Sequence, residues 1–219
     1  MHRNSIEHMR ALVQRYLEPG QSYLVGDVGS YDYTGSYRAL FTDSAWKYVG
    51  IDLNEGPNVD VVLPSAYQFP FPDGHFDVLI SGQAFEHVKF FWLTWMEMVR
   101  TLKPGGFIFL IAPSRGPEHR YPVDCWRFYP DGYRALAEYG KIDCLEAHTD
   151  WPAYPGAKGR VWGDTVGAFG KPPYRLSEHA REWQRQHAGD AKRSVAERAA
   201  TAATRAVEAT ARQVYRSIR

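Results

Sequence analysis

At 219 residues the chain has room for one domain of ordinary size and an appendage. Its 44% hydrophobic and 15% aromatic content excludes disorder throughout, and a formal net charge of +1 argues against a dedicated nucleic-acid binder. The two cysteines, Cys125 and Cys144, can pair only once. The first residues lack the apolar core of a signal peptide, and the longest uninterrupted apolar run, Phe107 to Ala112, is far short of the ~20 residues of a membrane span. A reduced, cytoplasmic chain is the simplest expectation.

Residues 3 to 17 place Ile6, Met9, Val13, Tyr16 and Leu17 at helical spacing, and Pro19-Gly20 stops them. Tyr23 to Gly29 reads as a short buried strand ending in an acid, Asp27, and a glycine, Gly29. The loop Ser30 to Gly35 then feeds a helical stretch, Ser36 to Phe41. A second strand, Tyr48 to Ile51, ends in Asp52; a third is expected over Val59 to Leu63 and a fourth over Phe76 to Ser81. From His87 to Leu102 the residues Val88, Phe91, Trp92, Trp95, Met96 and Val99 recur with the period of a helix bearing a wide buried stripe. Gly105-Gly106 turns the chain into a fifth strand, Phe107 to Ala112. Tyr133 to Tyr139 reads as a helix, Lys141 to His148 as a sixth strand, and a last strand is expected near Arg160 to Thr165.

Strands alternating with helices predict an α/β fold: a doubly wound, mostly parallel, seven-stranded sheet with helices on both faces. The domain is expected over residues 1–170, with an aromatic-rich acceptor-binding region at 113–173. Residues 174–219 form a C-terminal extension. From Arg175 onward ten basic residues stand against five acidic ones, and Ala191 to Ile218 is alanine-dense without Gly or Pro. A basic helix is expected there, with a homodimer arm as its use.

In an open parallel sheet, ligands bind beyond the carboxyl ends of the strands. Gly29 lets a ligand approach the backbone, and Asp52 is placed to hydrogen-bond both hydroxyls of a ribose. An acid at Asp27 repels a pyrophosphate and suits a cationic methionine ammonium. Downstream stand Phe69-Pro70-Phe71-Pro72-Asp73-Gly74-His75-Phe76-Asp77-Val78, then Phe85-Glu86-His87-Val88, then Leu102-Lys103-Pro104-Gly105-Gly106. Over residues 20 to 115 this set, in this order, resembles the class I S-adenosylmethionine-dependent methyltransferases of the methyltransferase-11-like branch. The resemblance implies a Rossmann-like fold, S-adenosyl-L-methionine as cofactor, and cofactor contacts from Asp27, Gly29, Ser30, Tyr31, Asp52, Leu53, Ser65, Ala66, Ser81 and Gln83. Two departures stand out: Tyr31 replaces the second glycine of the first motif, and Ser65-Ala66 replaces an Asp-Ala pair.

Methyl transfer at a sulfonium asks the enzyme to position an acceptor and to remove its proton. Glu86, His87 and His119 are the candidate catalytic residues. Some members of the wider family carry E-x-x-E-H at this point and bind a divalent metal. This chain keeps Glu86 and His87, with Gln83 in place of the first acid, so Mg²⁺ held by Glu86, His87 and His119 is an expectation. The segment Glu118 to Arg127 supplies candidate acceptor contacts in Arg120, Tyr121, Asp124, Trp126 and Arg127, where aromatic rings beside charges suit a sugar. That segment is similar to bacterial methyltransferases of polysaccharide assembly and to mycobacterial enzymes that methylate mannose oligosaccharides. The resemblance implies O-methylation of a carbohydrate hydroxyl. Another small-molecule acceptor, of quinone or polyketide type, and a catalytically silent cofactor-binding scaffold are the alternatives.

Overall fold

The computed structural model describes residues 3–33, 35–149 and 162–187. The chain divides into two compact units, Met1–Ser177 and Glu178–Arg219. Of the second, residues 178–187 are helical; the expected dimer arm lies outside the described residues.

The first unit is a seven-stranded sheet. Its strands are β1 (Tyr23–Val28), β2 (Trp46–Asp52), β3 (Val61–Val62), β4 (Phe76–Gly82), β5 (Leu102–Arg115), β6 (Asp143–Thr149) and β7 (Gly163–Gly170), in the spatial order β3-β2-β1-β4-β5-β7-β6. All neighbours pair in parallel except β7, which is antiparallel to both β5 and β6. The helices are α1 (Arg3–Tyr16), α2 (Phe91–Thr101) and α3 (Pro130–Gly140).

β5 shows why both faces carry helices. Its side chains alternate, so Phe107 and Phe109 turn to one face, where their rings lie 5.7 and 5.6 Å from Tyr16 of α1. Ile108, Leu110 and Ala112 turn to the other, into a cluster with Trp95 and Met98 of α2 and Tyr133 and Leu136 of α3. A strand buried on both faces reads as one apolar run rather than an alternation. Trp95 is fully buried at the centre of that second face, its ring 4.8 Å from Phe169 and its Nε1 donating to Leu136 O at 2.8 Å. Trp95→Ala is expected to cost about 3–5 kcal/mol of stability, read as a lowered midpoint in chemical denaturation.

The motif residues around β4 have structural duties. Asp77 accepts from Leu24 N of β1 and from Lys103 Nζ at the start of β5, both at 2.8 Å, and so ties three strand ends together. Arg100, in the last turn of α2, donates to the carbonyls of Phe69 and Phe71 and to Asp73. The proline-rich loop before β4 is thereby pinned to the helix.

Several elements differ from expectation. The stretch 36–41 forms only a 3₁₀ turn, Arg38–Leu40; polar tethers from Asp32 to Gly35 N and from Arg38 to Asn58 and Asp60 replace a helix too short to repay its nucleation. β3 shrinks to two residues because the Asp60 carboxylate turns back to Gly50 N, and Pro64 follows. α2 begins at Phe91, since residues 85–87 form a 3₁₀ turn and Val88 is extended. Its buried stripe is Thr94, Trp95, Met98, Val99 and Thr101, while Met96, expected inside, is 36% exposed. β7 starts at Gly163 and lies inside the sheet, buried along its whole length. Its glycines make it read as loop, yet a Cβ at Gly167 would sit 2.5 Å from the Tyr133 ring, so packing of α3 demands the glycine.

Candidate active site

The strand order runs outward from β1 to β3 on one side and outward from β4 on the other. The crevice between their carboxyl ends is the topological switch point. A cavity of about 430 Å³ opens there, within the range of small-molecule sites.

The cofactor candidates divide by placement. Gly29, Tyr31, Asp52, Leu53, Ala66, Ser81 and Gln83 line the cavity. Gly29 has φ +85°, and a Cβ there would meet Ala84 Cβ at 2.4 Å, so both conformation and space require glycine. The Asp52 carboxylate, at the end of β2, is fixed by backbone amides: Oδ2 accepts from Tyr31 N at 3.0 Å, and Oδ1 from Leu53 N at 2.7 Å. Tyr31 fills the place of a second glycine, and its ring packs on Tyr33 at 4.5 Å. Ser81 Oγ is tied down on Val28 O at 2.7 Å.

Asp27, Ser30 and Ser65 lie outside the lining. Ser30 bonds Asn58 O and holds the first loop to the segment after β2, and Ser65 caps a turn at Tyr67 N. Asp27 is buried beneath the cavity and accepts a short hydrogen bond from Tyr48 Oη. Burial, reinforced by repulsion from Asp52, pushes its carboxyl up to about 7 despite the Tyr48 bond. An acid raised on folding binds a proton that the unfolded chain releases, so stability falls as pH rises from about 4 to 7 and levels off above it. Each pH unit of that window is worth about 1.4 kcal/mol. Asp27→Asn keeps an acceptor for Tyr48 and is expected to flatten this part of the profile; denaturation midpoints at pH 5, 6, 7 and 8 test it, and an unchanged slope would mean that Asp27 ionises without penalty.

Three candidate catalytic residues converge. Glu86 is fully buried, and neither of its carboxylate oxygens has a hydrogen-bond partner among the described residues. Burial pushes its carboxyl up to about 8. His87 and His119 line the cavity with ring centroids 4.8 Å apart. His87 Nδ1 faces Val123 O at 2.5 Å, and partial burial lowers its pKa, which favours the neutral imidazole at pH 7. Gln83, with φ +58°, turns its amide away from this group: Nε2 donates to Ser5 Oγ and Asp164 Oδ1.

Of the acceptor candidates, Tyr121 lines the cavity, and Arg120 pairs with Glu118 at the surface. Asp124, Trp126 and Arg127 instead build the wall. Arg127 grips both oxygens of Asp124 and holds that carboxyl well below the usual carboxylate range, and Asp124 also accepts from His119 N. Trp126 packs edge-on against Phe91 and Trp92 and donates to Val88 O. Tyr33, Asn54 and Trp162 join the lining without having been singled out in the sequence. Tyr33 stands two residues past Tyr31 in the same loop, which was a usable signal. Trp162 precedes a strand whose glycines hid it.

Residues 27–110 match the family model described as Methyltransferase domain. Over these residues the chain is similar to the methyltransferases of that family. An uncharacterized methyltransferase of Mycobacterium sp. strain KMS is 35% identical to it over 153 residues, and one of Mycolicibacterium gilvum strain PYR-GCK is 29% identical over 155. Each match takes in 62% of this chain and 59% of the relative, so the chain spans somewhat over half the length of these proteins. Among solved structures, the Burkholderia thailandensis 1,6-didemethyltoxoflavin-N1-methyltransferase, bound to 1,6-didemethyltoxoflavin and S-adenosylhomocysteine, superposes with a TM-score of 0.58 at 16% identity over 77% of each chain. The chain thus shares its fold with that enzyme. Among the described residues no helix is long and apolar enough to cross a membrane.

Proposed function

We propose that the chain transfers a methyl group from S-adenosylmethionine to a hydroxyl of a sugar or oligosaccharide. The observation that carries this reading is one cavity lined both by Gly29 and the amide-fixed Asp52 and by the His87–His119 pair.

The residues present fit the cofactor. Gly29 presents bare backbone to the cavity, and Asp52 retains lone pairs for ribose hydroxyls after accepting from the backbone. When bound, S-adenosylmethionine supplies an electrophilic methyl on a sulfonium. The chain's own part is to hold the acceptor in line and to take its proton. His119 is the stronger candidate base, because its loop follows β5 and its Nδ1 lies 3.3 Å from Asp124 Oδ2, an arrangement that orients the ring. His87 is the second candidate.

The acceptor side is aromatic. Tyr33 and Tyr121 pack at 5.4 Å, 63% and 57% exposed, and Trp162 lies 4.8 Å from His119. Such faces cover the apolar side of a sugar ring while neighbouring polar groups meet its hydroxyls. The same wall favours a flat acceptor of quinone or polyketide type as the second reading. Incubation with S-adenosylmethionine and a panel of mannosides, oligosaccharides, quinols and polyketide phenols, followed by mass spectrometry, separates the two. A gain of one methyl on a sugar is the expected result. A methylated phenol alone would replace it, and cofactor binding without any product would leave a silent scaffold.

A further inference from the structure

We infer that Glu86, His87 and His119 form a binding site for a divalent transition-metal ion that accepts imidazole nitrogen, in preference to Mg²⁺. The inference stands on ligand geometry and uses the methyltransferase reading only for the ion's role.

One ligand atom from each of the three residues lies within 4.8 Å of the others. Glu86 Oε1 is 3.7 Å from His87 Nε2 and 3.9 Å from His119 Nε2. The 3.7 and 3.9 Å separations fall within the roughly 4.4 Å that two ligands about 2.2 Å from one ion can span, and the set as a whole, within 4.8 Å, would draw in slightly on binding. His87 is aimed by a hydrogen bond from its other nitrogen, while His119 Nδ1 stands 3.3 Å from a carboxylate without a hydrogen bond among the described residues. The His87 Nδ1 contact with Val123 O puts the proton on Nδ1 and leaves the Nε2 lone pair toward Glu86. His119 Nδ1 faces Asp124, which Arg127 holds through both oxygens. A carbonyl behind one imidazole and a carboxylate behind the other is how metal-ligating histidines are oriented. Glu86 supplies the third reason, as a carboxylate wholly buried and without a hydrogen-bond partner among the described residues. A buried carboxylate of that kind calls for a cation.

The identity of the ion follows from Gln83. Its Nε2 donates to Ser5 and Asp164, and a neutral amide cannot replace the charge of the acid that would stand there. What remains is two imidazoles and one carboxylate, not the oxygen-rich cage that Mg²⁺ requires. This set suits Zn²⁺, Fe²⁺, Co²⁺ or Mn²⁺ and leaves further coordination positions. Because both histidines line the cavity, those positions open onto it, where acceptor hydroxyls would bind.

The test uses the full chain stripped with chelator and titrated with CoCl₂ by visible absorption. Calorimetry with ZnCl₂, MnCl₂ and MgCl₂ follows, with S-adenosylmethionine titrated in parallel. One equivalent of Co²⁺ with a ligand-field band is expected, together with Zn²⁺ or Mn²⁺ affinity above that for Mg²⁺. His119→Ala should abolish the band, and Asp124→Asn should weaken Co²⁺ about tenfold or more. No Co²⁺ binding while S-adenosylmethionine binds would overturn the inference and leave the methyltransferase reading intact. A band unchanged in folded His119→Ala, or tightest binding of Mg²⁺, would also overturn it. Co²⁺ binding at this site without cofactor binding would uphold the metal and sink the methyltransferase reading. If Glu86→Gln fails to fold, the wild-type and His119→Ala titrations decide alone.

Discussion

Replacing His119 with alanine is expected to lower kcat by about 10²–10⁴-fold, whether the lost imidazole takes the acceptor's proton itself or holds the ion that acidifies the acceptor hydroxyl. The affinity for S-adenosylmethionine should stay near wild type. His119 sits in the cavity beside His87 and contacts none of the groups that hold the Asp52 carboxylate, Tyr31 N and Leu53 N, in the hydrogen bonds of the described residues. Its side chain is only partly buried, and Asp124 keeps its own partner, Arg127, when the imidazole is gone, so the wall should hold. Turnover kinetics with an acceptor that the wild type methylates, set against calorimetric Kd, measures the two effects separately. Wild-type turnover in the variant would remove His119 from the chemistry and shift the role to His87. The sharper split comes from His87→Ala, where the lost bond to Val123 O should loosen the 121–125 loop as well. That variant is expected to raise KM for the acceptor along with its effect on kcat.

Asp52→Ala should weaken S-adenosylmethionine binding by about 10²–10⁴-fold, since two charge-assisted hydrogen bonds at about 1.5–3 kcal/mol each disappear. The carboxylate is held by Tyr31 N and Leu53 N before any ligand arrives, so the wild type spends little ordering it. The same amides lose their acceptor in the variant, and the first loop should become easier to cleave by protease. Asp52→Asn keeps one acceptor oxygen and is expected to fall between the two. Calorimetry on the three proteins reads the series. An unchanged Kd in Asp52→Ala would place the ribose elsewhere and would dissolve the assignment of this part of the cavity.

Most of the sheet was legible because its signals are local. Tyr23 to Val28 and Phe107 to Ala112 are apolar runs bounded by glycine and acid, and such runs form buried parallel strands wherever a helix can cover both faces. Elements failed where local preference lost to neighbours. The 36–41 helix gave way to the polar grip of Asp32, Asn58 and Asp60, and the expected last strand, near Arg160 to Thr165, runs on to Gly170 through glycines on which Tyr133 packs.

At the site, residue identity alone pointed to Gly29, Asp52, Glu86, His87 and His119, since each carries a chemistry that its strand end makes useful. Which of them meet was a matter of tertiary contact. Trp126 and Arg127 read as acceptor ligands on type and spacing, yet the interior side of the 118–128 loop took them for packing on α2 and for clamping Asp124. Asp27, Ser30 and Ser65 sit at motif positions, but their side chains satisfy local hydrogen bonds away from the cavity. Gln83, in the place of an acid, became a structural amide because Ser5 and Asp164, 78 and 81 residues away in the chain, come within its reach.

By itself the sequence determined the α/β order of elements, the strand ends at which a ligand would bind, and the stock of groups available there. These depend on periodicity, turn chemistry and residue type, which act over a few residues. Only the tertiary structure decided that Glu86 is buried without a hydrogen-bond partner among the described residues, that two imidazoles turn their Nε2 atoms toward it, and that Asp52 is fixed by amides from two loops. Those outcomes depend on burial and on contacts between residues far apart in the chain, and burial is settled only when the sheet has closed over the site.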